Sequence, residues 1–204
     1  MAIDFKESKT RENLMRAFAG ESQARNRYTI AVEKALNQKM FAVNQIFLFT
    51  ADQEKAHAER FYDLLQSLSG TSIEIDGSYP VDNFEDVTKL LRAAQHNEME
   101  EFEDVYPTFA EVARGEGFLE VAAAFHQIAE IEKVHGKRFG LLADLIEHNL
   151  YFESEAETAW MCLNCGYIHY GKMVPMLCPV CKYDRGYFIP ARLAPYLDVE
   201  VIGR

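Results

Sequence analysis

Two groups of residues in this chain have the types and spacing that metal chemistry needs. All four cysteines lie in Cys162-Leu-Asn-Cys165 and Cys178-Pro-Val-Cys181, two Cys-x-x-Cys hooks with twelve residues between them. Four thiolates at that spacing can hold a structural zinc or an electron-carrying iron, and the hooks alone leave both open. The second group is carboxylate-rich: Glu21, then the pairs Glu54/His57, Glu98/Glu101 and Glu132/His135. Each pair is spaced i, i+3, so both members face the same side of a helix. Five carboxylates buried together would repel strongly, and two metal ions remove that repulsion. Five negative charges against two Fe(II) leave −1 and against two Fe(III) leave +1, near neutrality in either state. Carboxylates and imidazoles on facing helices of a bundle are the di-iron or di-manganese pattern.

These residues need elements to position them. Residues 10 to about 152 predict four long helices: about 10–36, 41–68, 82–114 and 117–151. Asp82-Asn83 is suited to capping the third, and Pro107 should kink it. The apolar seams run Leu14, Phe18, Glu21, Arg25, Tyr28, Val32; Val43, Phe47, Thr50, Glu54, His57, Phe61; Val87, Leu91, Ala94, Glu98, Glu101, Val105, Thr108, Val112; and Phe125, Ile128, Glu132, His135, Phe139, Leu142. Every seam is apolar above and below and polar near its middle. The turn-rich stretch from Ser69 to Val81 is long enough to cross a bundle end to end, and one such crossover between two helical hairpins is ferritin-like. After Tyr151 helical periodicity stops. The expected organisation is a four-helix bundle over 1–152, an acidic linker over 153–158 and a small metal-knuckle domain over 159–204.

Composition narrows the partners. A formal net charge of −11 argues against nucleic acid and anionic membranes. The N-terminus lacks the apolar core of a signal peptide, and no apolar run is long enough to span a membrane. Cysteines confined to metal hooks fit a reducing cytoplasm.

With these motifs in order, the sequence resembles the rubrerythrins. The resemblance rests on Glu21-Ser-Gln-Ala-Arg-Asn-Arg-Tyr28, Glu54-Lys-Ala-His57, Glu98-Met-Glu-Glu101 followed by Tyr106-Pro107, Glu132-Lys-Val-His135, and the two hooks. It implies a ferritin-like di-iron bundle followed by a rubredoxin-like domain, holding two irons and one iron. Glu54 and Glu132 would bridge the pair, Glu21 would bind one iron, and Glu98 with His135 the other. His57 and Glu101 would be alternative ligands of the first iron, exchanged with oxidation state. Tyr28 and Tyr106 would hydrogen-bond the ligand carboxylates. The family implies reduction of hydrogen peroxide to water, with electrons from NAD(P)H through a separate redox protein, a rubredoxin or flavoprotein reductase. It also implies a homodimer in which one subunit's rubredoxin-like domain lies near the other's di-iron site. The tail after Phe188 extends beyond the family's short end.

The expected catalytic carboxylates are Glu54, Glu101 and Glu132, with Glu101 as proton carrier. A zinc hook would have no redox role, so a redox bundle favours iron in the thiolate site. The competing readings are a ferroxidase or iron-storage protein, which leaves the hooks without a task, and a non-catalytic protein with a zinc ribbon, which leaves the seven polar seam residues unexplained. Manganese also suits the bundle's ligands.

Overall fold

The computed structural model describes residues 3–194. Helices α1 (Lys9–Asn37), α2 (Phe41–Asp63), α3 (Val87–Glu100), α4 (Tyr106–Glu116) and α5 (Leu119–Glu147) precede strands β1 (Glu153–Cys162), β2 (Ile168–Met173) and β3 (Phe188–Pro190). Local chemistry sets the helix starts. Ser8 Oγ accepts from Arg11 N at the head of α1, and Glu116 adds bonds from Lys9 N at 3.0 Å and Thr10 N at 2.9 Å. These partners satisfy amide groups that a helix leaves free at its first turn.

α1 packs along α2, and α5 packs along α3 and α4, giving two hairpins. The irregular segment between Leu68 and Val87 joins them as the one long crossover of a ferritin-like bundle. The third predicted helix differs from expectation at its start. Asp86, not the Asp82-Asn83 pair, caps α3 by accepting from Lys89 N at 2.9 Å. Asp82 instead pairs with Arg27 on α1 and Asn97 on α3, each at 2.8 Å, and ties the crossover down.

The same helix also differs in its middle. A π-helical turn, Glu101–Val105, separates α3 from α4 where a simple proline kink was predicted. Pro107 has no N–H to donate into the preceding turn, and the wider turn absorbs that loss. The consequence is a phase shift of about one residue. Beyond the turn the buried positions are Tyr106, Ala110 and Ala113, rather than the predicted Val105, Thr108 and Val112. On α1 the predicted seam residues Leu14, Glu21 and Tyr28 are buried, and Arg25 gives way. Arg25 is exposed, and Ala17, Ala24 and Ala31 are buried in the seam, small enough to bring α1 close to α2. The second predicted helix ends early at Asp63, followed by a 3-10 turn at Gln66–Leu68.

The expected acidic linker is strand. β1 begins at Glu153 and pairs antiparallel with β2 on one side and β3 on the other, so the sheet order is β2-β1-β3. An irregularity between Glu153 and Thr158 marks the acidic part. Its side chains lack an apolar stripe, but its two ends, Glu153 and Thr158, pair with Met173 and Gly171 of β2, which composition cannot show.

The C-terminal unit docks on the bundle end where α1 turns into α2. Tyr187 stacks on Phe41 with ring centroids 4.5 Å apart, and Ile189 and Leu193 join the bundle core. Part of the extended tail therefore packs on the bundle, and residues 195–204 lie outside the described residues. Gly186 permits the approach: a Cβ there would stand 1.9 Å from the Lys39 carbonyl oxygen. Lys39 is in the left-handed turn and belongs to backbone that cannot easily retreat. Gly186→Ala is therefore expected to cost about 1–3 kcal/mol through overpacking and to loosen the docking. Differential scanning calorimetry should show a lower Tm, and limited proteolysis should show faster cleavage between the bundle and the sheet.

Candidate metal centre

The polar seam residues of four helices meet in one buried layer. Glu21, Glu54, Glu98, Glu132, His57 and His135 are all at most 8% exposed. His57 Nδ1 lies 2.8 Å from Glu132 Oε1, 3.5 Å from Glu54 Oε2 and 3.7 Å from Glu21 Oε2. His135 Nδ1 lies 2.7 Å from Glu132 Oε2, 3.1 Å from Glu54 Oε1 and 3.7 Å from Glu98 Oε2. Two donor sets result, Glu21/Glu54/His57/Glu132 and Glu54/Glu98/Glu132/His135. Glu54 and Glu132 each turn one oxygen to each set. Glu21 and Glu98 each belong to one.

These are the atoms that a metal pair would use. Glu21 Oε2, both oxygens of Glu54 and of Glu132, Glu98 Oε2 and both Nδ1 atoms are buried without a hydrogen-bond partner. Buried polar atoms are rarely left so. The atoms facing away from the sets are held. Tyr106 donates its hydroxyl to Glu21 Oε1, and Tyr28 donates to Glu98 Oε1. His135 Nε2 lies 3.1 Å from Gln53 Oε1, a contact that with a metal bound would let Nε2 donate and turn the Nδ1 lone pair toward the set.

Electrostatics agree with the geometry. Burial pushes the Glu21 and Glu98 carboxyls well above the usual range, and the charges of Glu132 and Glu54 push the same way. Burial would lower both imidazoles, yet the surrounding carboxylates outweigh it. His57 is raised and His135 is pushed up to about 12. Glu54 is held low by the two imidazoles that face it, although burial opposes this. Each shift expresses one deficit: the layer lacks positive charge. Two divalent cations against four carboxylates would supply it and leave the layer neutral.

Glu101 does not join either set. It sits in the π-helical turn, half-buried, and lines a cavity with Gly20 and Tyr106. Of the two alternative ligands, the structure thus brings His57 to the first set. Tyr106 reaches Glu21 only because of the phase shift at the π turn, so its place was not visible in the seam. Gln53 was missed altogether. It lies off the α2 seam, and its task depends on a histidine 82 positions away.

The second site is a thiolate knuckle. Cys162 Sγ and Cys181 Sγ are 3.8 Å apart, and Cys165 Sγ and Cys178 Sγ are 3.7 Å apart. A tetrahedral ion with bonds of about 2.3 Å to sulfur has sulfur–sulfur edges of about 3.8 Å. The hooks repeat one shape: Gly166 N bonds to Cys162 O at 2.8 Å, and Lys182 N to Cys178 O at 2.9 Å, both residues being left-handed. Backbone N–H groups of Asn164 and Cys165 point to the Cys162 sulfur, and that of Tyr183 to Cys181. Such bonds stabilise thiolate charge and tune a bound metal.

Comparison with known proteins agrees with both sites. Residues 12–143 match the family model described as rubrerythrin, and residues 160–189 match that of the rubrerythrin rubredoxin-like domain. The chain belongs to the rubrerythrin family. It is 48% identical to rubrerythrin-1 of Clostridium acetobutylicum over 185 residues, covering 90% of this chain and 94% of that protein. It is 44% identical to rubrerythrin of Porphyromonas gingivalis, covering 94% of each. Among solved structures, nigerythrin in a mixed-valence state aligns with TM-score 0.60 at 27% identity over 90% of each chain. A Desulfovibrio desulfuricans bacterioferritin aligns with TM-score 0.63 at 22% identity, over 70% of this chain and 82% of that one, which speaks to the bundle fold.

Family and donor sets together make this an iron protein with a di-iron centre in the bundle and a rubredoxin-type iron in the knuckle. It belongs among oxidoreductases related to peroxide and oxidative stress. No helix among the described residues is long and apolar enough to cross a membrane.

The two-set geometry predicts unequal effects of ligand loss. Glu21→Ala should weaken one of the two bundle ions, while Glu54→Ala should weaken both. Metal analysis after anaerobic reconstitution and gel filtration checks this.

Proposed function

We propose that this protein is a peroxidase that reduces hydrogen peroxide to water: H2O2 + 2 e− + 2 H+ → 2 H2O. The observation that supports it most is the pairing, in one chain, of a buried two-metal donor layer with a separate four-thiolate site. In this reading Glu54 and Glu132 would each serve both irons, Glu21 and His57 would complete one set, and Glu98 and His135 would complete the other. When bound, the iron pair supplies the two electrons that cleave the O–O bond.

The chain's own groups handle position and protons. Tyr28 and Tyr106 hold the outer oxygens of Glu98 and Glu21, and Gln53 holds His135, so the inner atoms stay aimed at the metals. Glu101 carries a proton to the departing oxygen. Burial first, then the charges of Glu132 and Glu54, push its carboxyl well above the usual range, so it keeps a proton where an ordinary carboxylate would not. Glu101 is also the alternative ligand of the first iron. A fifth carboxylate there would compensate the added charge of the oxidised pair.

Cys162, Cys165, Cys178 and Cys181 would hold the rubredoxin-type iron, which would supply one-electron transfer from a separate redox protein drawing on NAD(P)H. Within a chain, the knuckle's unit docks beside Phe41, while Glu54 lies 13 residues further along α2, about 20 Å at 1.5 Å per residue. A homodimer that brings a second copy's knuckle alongside the layer would shorten this path. Leu48 on α2 and Val134 and Leu141 on α5, all more than 40% exposed, give an apolar face for that contact. Ferroxidation or iron storage would leave the thiolate iron without a task.

Two variants separate the parts. Glu101→Gln should lower kcat by about 10²-fold or more with the iron content of the bundle unchanged. Cys162→Ser should leave single-turnover oxidation of the reduced bundle by peroxide intact and stop multiple turnover with a reductase. Full turnover in the second variant would refute the relay, and failure of the wild-type protein to consume peroxide would refute the peroxidase reading.

A further inference from the structure

The crossover does more than join two hairpins. It is pinned to α1 at two places, by Arg16 to Asp76 at 2.6 Å and by Arg27 to Asp82 at 2.8 Å. Between the pins, Gly77, Ser78, Tyr79 and Pro80 arch over a cavity of about 250 Å³. The cavity's inner wall includes Glu101 and Tyr106, and Tyr106 donates to Glu21 of the first donor set. It therefore ends one carboxylate away from the metal layer.

Gly20 marks the narrow point. It immediately precedes Glu21, and a Cβ on it would lie 3.9 Å from Glu101 Oε1 and 4.0 Å from Tyr79 Cε1. A side chain larger than alanine at position 20 would enter the space between the Tyr79 ring and the Glu101 carboxylate. Tyr79 has its hydroxyl 3.3 Å from the Arg16 carbonyl oxygen, and its ring is 3.2 Å or less from where a Cβ on Gly77 would be. At 41% exposure, Tyr79 lines the cavity and also faces solvent.

The lining suits a small uncharged polar guest. Both arginines are already paired with aspartates, so neither offers a free charge to an anion. Arg27 nevertheless keeps a buried Nε–H without a partner, and Gln23 and Asn97 add polar side chains. A bulky apolar guest would have to leave those groups unsatisfied and displace the pinned arch.

We propose that Gly20, Tyr79 and Glu101 form the throat through which substrate reaches the di-iron layer, and that Tyr79 is the specificity-determining residue that admits hydrogen peroxide and excludes bulky organic hydroperoxides. This rests on the peroxidase reading and names its substrate route. The test uses the full-length iron-loaded protein, with peroxide consumption and azide association as two readouts. Azide binding to the oxidised centre at mildly acid pH, where part of the azide is neutral hydrazoic acid, followed by its visible absorption in stopped flow, reports access of a small uncharged guest without turnover. Tyr79→Ala should raise kcat/KM for cumene hydroperoxide relative to hydrogen peroxide about tenfold or more. Gly20→Leu should slow azide association about tenfold or more at unchanged iron content and circular dichroism. Gly20→Ala, which fits at ordinary contact distances, should slow it less.

Unchanged azide rates in both Gly20 variants, or an unchanged peroxide ratio in Tyr79→Ala, would overturn the throat. If the wild-type protein consumed no peroxide, the peroxidase reading would fall, and with it Tyr79's role in peroxide selection. The azide rates would still decide whether residue 20 controls access.

Discussion

The structure is organised by the cost of burying like charges. Glu21, Glu54, Glu98 and Glu132 share one layer with two imidazoles in the middle of a bundle, and among the described residues no basic side chain other than those imidazoles is ion-paired with them. Such a layer is strongly unfavourable without cations. The apolar core is accordingly divided. One cluster, around Phe47, Leu91 and Phe139, packs on the side where the C-terminal unit docks. The other, around Leu14, Phe61 and Phe125, packs toward the opposite end. The two clusters hold the helices at fixed separation, and the layer between them is spaced for metal bonds rather than for side-chain packing.

Rigidity around the layer comes from pairs of roles. Tyr28 belongs to the first apolar cluster and Tyr106 to the second, and each sends its hydroxyl to a ligand carboxylate. Each ring is anchored by aromatic neighbours, Tyr28 by Phe47 and Phe139, and Tyr106 by Phe61 and Phe125. Packing energy on either side thus fixes the direction of Glu98 and Glu21. Glu101 is held differently. It rides on the π-helical turn and faces a cavity, outside both donor sets.

The knuckle solves the same electrostatic problem on a smaller scale. Four thiolates need a cation and amide dipoles, and the two left-handed residues Gly166 and Lys182 turn the backbone so that its N–H groups face inward. Its small core of Trp160, Val174 and Phe188 would be marginal alone. Bound metal and docking through Phe41, Tyr187 and Gly186 supply what the core lacks.

Helix periodicity made the metal layer legible in sequence: an i, i+3 pair on an apolar seam has one inward direction, whatever the rest of the fold does. Glu54, His57, Glu98, Glu132 and His135 were readable for that reason; the four cysteines were readable from their Cys-x-x-Cys spacing, and the crossover from its length and turn residues. Tertiary structure decided what periodicity cannot carry across an irregularity. The π turn moved Tyr106 inward and left Glu101 outside both donor sets. Backbone pairing with β2 turned an acidic stretch into strand. Gln53, Gly186, and the meeting of Gly20 with Tyr79 across the crossover depend on contacts between residues distant in the chain. Local pattern reflects which way a side chain points along its own helix, and only the packed fold determines what it meets there.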